Sequence, residues 1–74
     1  MERFVTEMLL HQNEICIANG EAHIAQQTSI ITQLETLGID TLAAWQLLMV
    51  LVENQSLHRI SRDKLRKELD DGTT

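Results

Sequence analysis

The chain has 74 residues, a formal net charge of −5, no proline, three glycines and one cysteine. That size supports one small domain, and the acidity opposes general affinity for nucleic acid, whose phosphates would repel it. A lone cysteine excludes an intrachain disulfide and any CxxC or zinc-finger pattern.

No apolar run approaches the length of a membrane span. The first residues, with Glu2, Arg3 and Glu7, do not read as a signal peptide. The expected setting is therefore a soluble, reducing, bacterial-type cytoplasm, with no membrane partner. Phe4 and Trp45 are the only aromatic residues, so any core must be aliphatic.

Residues 2 to 37 predict one long helix with a seven-residue period. Leu9, Cys16, His23, Ile30 and Leu37 form one column, and Leu10, Ile17, Ile24 and Ile31 form the next. Asn13, Gly20, Gln27 and Leu34 lie between them on the helical wheel, completing one apolar face with a small residue near its middle. A second stripe crosses the helix at Phe4, Met8, His11, Ile15, Ala18, Ala22 and Ala25. Glu7, Glu14, Glu21 and Glu35 separate the two on one side, and Gln12, Asn19, Gln26 and Gln33 on the other. Two stripes imply two packing partners.

The helix should end in a Schellman turn. Gly38 supplies the left-handed residue, and Leu34 and Ile39 then occupy the positions that pack together in that motif. Asp40 or Thr41 is placed to cap the next helix. So short a connection makes the two helices antiparallel neighbours.

The second helix is expected over 41 to 69. Ala44, Leu48, Leu51, Gln55, His58, Arg62, Leu65 and Leu69 alternate by four and three, a heptad seam with a polar middle. Leu47 to Val52 is apolar all round, more than one partner helix can cover. The expected fold is all-α: an antiparallel helical hairpin that pairs into a dimeric four-helix bundle, with Leu47–Val52 and the Ala18/Ala22 stripe inside. Residues 70 to 74 read as a polar, frayed tail.

If Leu37 and Ala44 flank the turn at one height, equal-height residues have numbers summing to roughly 81. Ile30 then faces Leu51, Cys16 faces Leu65, and His23 faces His58. A buried polar layer of this kind usually fixes register and oligomer state. The alternative is a metal or small-ligand site at His23 and His58, although two histidines alone do not complete a zinc site. A third reading is a pH-sensitive layer, since histidine titrates near neutrality. Cys16, in an apolar column, reads as a buried structural thiol. His11 reads as half-buried or simply exposed.

Arg59, Arg62, Lys64, Arg66 and Lys67 concentrate the basic charge, interrupted by Asp63, Glu68, Asp70 and Asp71. This suits a solvated helix end complementing the dipole. A nucleic-acid patch would want uninterrupted basic charge interleaved with aromatics. Trp45 is either a cap on the bundle end or an anchor for a partner. There is no phosphate loop, nucleophile elbow or paired carboxylates beside a cleft, so neither an enzyme nor a cofactor is implied.

One pattern looks familiar: Gly20-Glu21-x-His23-Ile24-Ala25-x-Gln27, Leu34-Glu35-x-x-Gly38-x-Asp40-Thr41, Ala44-x-x-Leu47-Leu48-x-x-Leu51-x-Glu53, Leu57-His58 and Asp63-x-Leu65-Arg66-x-Glu68-Leu69. It resembles a group of short, uncharacterised helical-hairpin proteins of rhizobial-type alphaproteobacteria. The resemblance covers residues 20 to 69 and implies a small cytoplasmic helical protein, without an activity, ligand or partner. The residues themselves point to a homodimeric interaction or regulatory module that binds a protein partner through a helix face. Trp45, Arg59, Arg62 and Arg66 are the candidate contacts.

Overall fold

The computed structural model describes residues 2 to 72. They form two helices, α1 (Arg3–Thr36) and α2 (Leu42–Asp70), packed against each other as a hairpin. The result is a rod 54 Å long and 14 Å in each cross dimension. Proline is absent, so no amide is missing from either helix interior. In the threonine-rich end of α1, Thr28, Thr32 and Thr36 each donate their hydroxyl to the carbonyl four residues back. These poor helix formers therefore keep the helical path with their side-chain donors satisfied.

The turn forms as its residues dictate. Gly38 has φ of 72°. The Ile39 amide bonds the Leu34 carbonyl at 2.9 Å and the Gly38 amide bonds the Glu35 carbonyl at 3.1 Å. That pair of bonds is the Schellman ending. Asp40 Oδ1 then accepts from the Leu42 amide at 3.1 Å, satisfying one free donor of α2, while Thr41 takes the cap position without a side-chain bond.

At the far end α2 extends through Asp70, one residue past the expected end. The Asp71 amide bonds the Lys67 carbonyl, and Gly72, at φ of 66°, bonds the Leu69 carbonyl. The rest of the expected tail, Thr73 and Thr74, lies outside the described residues.

The buried line of α1 runs Thr6, Leu10, Asn13, Ile17, Gly20, Ile24, Gln27, Ile31 and Leu34, alternating by four and three. Ala44, Leu48, Leu51, Gln55, His58, Arg62, Leu65 and Leu69 of α2 are the residues turned toward it. The α2 seam is the expected one. On α1 only the Leu10 column and its Gly20 neighbours enter the seam. The Leu9, Cys16, His23, Ile30 and Leu37 column stays exposed.

The register also differs from the expected one. Gln55 lies against Gly20, and those numbers sum to 75 rather than 81. The chain reverses at Gly38, where the Ile39 amide already folds back on Leu34. Residues 39 to 41 therefore belong to the descending arm. His58 is thus level with Ile17, six residues from His23, or about 9 Å along the axis.

Two glutamines cross the seam. Gln55, only 2 % exposed, donates its amide to the Ile17 carbonyl at 2.8 Å. Gln27 donates to the Ala44 carbonyl at 2.9 Å. Gly20 makes room for the first: a Cβ there would overlap Gln55 Oε1.

Gly20→Ala should therefore destabilise the protein by about 1 kcal/mol. It gains about 1 kcal/mol of helix propensity but displaces a buried amide whose lost bond costs about 1–3 kcal/mol. In a Gln55→Ala background the same substitution should stabilise by about 1 kcal/mol. Urea unfolding of the four proteins at one concentration checks the change of sign.

Candidate functional site

The seam divides the rod into two flanks of different chemistry. On the first, Glu21 and Glu14 of α1 meet Arg59 and Arg66 of α2. The Arg59 Nη2–Glu21 Oε1 distance is 3.5 Å and the Arg66 Nη2–Glu14 Oε2 distance is 3.2 Å. Trp45 and Val52 extend the Arg59/Arg66 column toward the turn, seven residues apart each time. Trp45 is 46 % exposed and borders a shallow apolar depression with Leu48, Met49 and Val52.

The opposite flank carries fewer charges, Lys64 and Glu68 of α2 among the residues of its grooves. Leu9, Cys16, His23, Ile30 and Leu37 run along its α1 edge, and Leu47, Asn54, Ser61 and Glu68 along its α2 edge. Cys16 lines two grooves here. One includes Leu9, Gln12, Lys64 and Glu68, and the other includes Asn19, His23, Asn54 and His58. Cys16 is exposed and is not the buried thiol its apolar column suggested. The column flanks the seam instead of entering it.

His23 and His58 line one groove without forming one layer. His23 is exposed and His58 half-buried. Among the described residues no group of three or more histidine, cysteine, aspartate and glutamate side chains stands in a metal-holding arrangement. His11 lies on the exposed outer face of α1.

The four candidate partner contacts do not act as one basic patch. Trp45, Arg59 and Arg66 share a column, but both arginines are already paired with α1 carboxylates. Arg62 occupies the seam, its side chain 25 % exposed, and its Nε donates to Asp63 Oδ1 at 3.1 Å. Matched spacing was the signal for this flank: Glu14 and Glu21 are seven apart, as are Arg59 and Arg66.

The outer stripe of α1 is exposed at Phe4, Met8, Ile15, Ala18, Ala22 and Ala25. The Leu47–Val52 stretch turns Leu48 and Leu51 toward the seam and leaves Leu47, Met49, Val50 and Val52 exposed. No described helix is long and apolar enough to cross a membrane.

Comparison of the chain with protein-family models, curated proteins and solved structures finds no match.

The ion pairs are half solvated, with side-chain exposures of 46 to 62 %. Pairs of this kind contribute about 0.2–1 kcal/mol. Arg66→Ala should therefore lower unfolding stability by no more than about 1 kcal/mol at moderate salt. Denaturant melts at low and high salt check this, and the difference should shrink as salt rises.

Proposed function

We propose that this chain is a small helical interaction or regulatory module. Two hairpins pair into a dimeric four-helix bundle, and an outer helix face is left for a protein partner. One observation carries the reading. Among the described residues, Ile17 and Ile31 are the buried apolar side chains, whereas sixteen large apolar side chains are exposed. Water-exposed apolar surface of that extent marks an interaction surface, because its removal from water is the main favourable term in association.

The distribution supports two surfaces rather than one. Phe4, Met8 and Ile15 lie on the outer stripe of α1, whereas Leu47, Met49, Val50 and Val52 lie around the first half of α2. A second copy accounts for part of this surface. The rest suits a partner helix or strand, with Trp45 as a large amphipathic anchor and the Arg59/Arg66 column as a polar rim.

Sedimentation equilibrium of untagged protein at low micromolar concentration tests the self-association. The expected mass is twice the 8.4 kDa chain, and a monomer throughout the range would sink the reading. Once a partner is in hand, Trp45→Ala should preserve the dimer mass and weaken partner binding by roughly tenfold or more. Unchanged affinity would remove Trp45 from the contact.

A further inference from the structure

We infer that the second copy of this chain covers the Cys16 flank. It lies over Leu9, Cys16 and Ile30 of α1 and over Leu47, Val50 and Leu57 of α2. This rests on the dimeric reading above and assigns its interface. The two flanks differ in what covering them would cost. The Glu14–Arg66 and Glu21–Arg59 pairs lie half solvated on one side, and burying them would strip water from four charges. On the other side the α1 column, Leu9, Cys16, His23, Ile30 and Leu37, contains no carboxylate, lysine or arginine.

The residues facing that column are also suited to a like-charged copy. A chain of net charge −5 repels itself at long range. The charges lining the two Cys16 grooves, Lys64 and Glu68, are one of each sign. Gln12 and Asn19 supply neutral hydrogen-bonding groups at the edge.

The areas agree with a second rod of the same length. The chain exposes 5411 Å², whereas a compact monomer of its 8.4 kDa mass exposes about 4600 Å². The excess is about 800 Å², the area that each partner of a standard interface buries. One flank of a 54 Å by 14 Å rod offers about 750 Å², so a copy laid along its full length meets that requirement. The outer α1 stripe at Ala18 and Ala22, expected inside the bundle from the sequence, then remains outside the dimer.

The native Cys16 reports on this directly. Untagged full-length protein is labelled with a small maleimide over a range of protein concentrations, with the mass measured at each. Labelling should slow by roughly tenfold or more as the dimer forms, because the thiol loses solvent access. Ile30→Glu and Val50→Glu should each raise the dimer dissociation constant by roughly a hundredfold, as expected for a carboxylate forced into an apolar contact. Both should restore fast labelling. Val52→Glu, on the ion-paired flank, should leave mass and labelling unchanged. A dimer whose Cys16 reacts at the monomer rate overturns the assignment and leaves the dimer standing. So does a dimer broken by Val52→Glu but not by Ile30→Glu. A monomer at every concentration overturns the dimer and its interface together.

Discussion

The Gln55 amide, seated in the notch left by Gly20 and bonded to the Ile17 carbonyl, is the contact on which the register of the hairpin depends. The aliphatic layers around it do not discriminate strongly. Leu10, Ile17, Ile24 and Ile31 repeat every seven residues on α1, and Leu48, Leu51 and Leu65 offer similar surfaces on α2. A slide of one heptad would exchange one aliphatic layer for another. It would also bring Gln55 from Gly20 against Gln27 or Asn13, where the notch is gone. A buried amide without its partner is costly, so the polar layer selects one alignment among near-equivalent apolar ones. Gln27, bonded to the Ala44 carbonyl from the other helix, repeats the device near the turn.

Much of this architecture is legible in the residue pattern. Gly38, with Leu34 before it and Ile39 after it, specifies the reversal because only glycine takes the left-handed conformation cheaply. The α2 seam is equally legible, since Ala44 to Leu69 alternate by four and three without a break. The α1 face is ambiguous for a definite reason. The Leu9 and Leu10 columns flank the Gly20 column on the wheel and both are apolar, so periodicity alone cannot choose between them. The choice lies in Gly20 meeting Gln55 and Gln27 meeting Ala44, contacts between helices. The register estimate failed at the same level: it counted Ile39 to Thr41 as part of the bend, whereas the Schellman bonds complete the reversal at Gly38.

Moving the Leu9 column out of the seam changes the reading of every chemically active side chain in it. Cys16 and His23 pass from the interior to an exposed flank, and His58 remains alone in the seam at the height of Ile17. The histidine pair then loses the layer that motivated a ligand site. What remains is an apolar α1 edge with neutral polar groups beside it and Lys64 and Glu68 across the groove. The opposite flank completes its own electrostatics with two cross-helix pairs.

This asymmetry bears on the proposed dimer. Ordering two helices of 34 and 29 residues costs backbone and side-chain entropy over their whole length. Against that cost a single seam buries Ile17 and Ile31, and several of its remaining layers are Thr6, Asn13, Gln27, Gln55 and Arg62. Those polar layers give alignment more than they give stability. Helices in water draw most of their stability from packing an apolar face, not from propensity. If a second copy supplies that packing along the Cys16 flank, folding and association become linked, and apparent stability rises with protein concentration. The polar seam would then set how each hairpin aligns, while the apolar flank would supply the energy that keeps it folded.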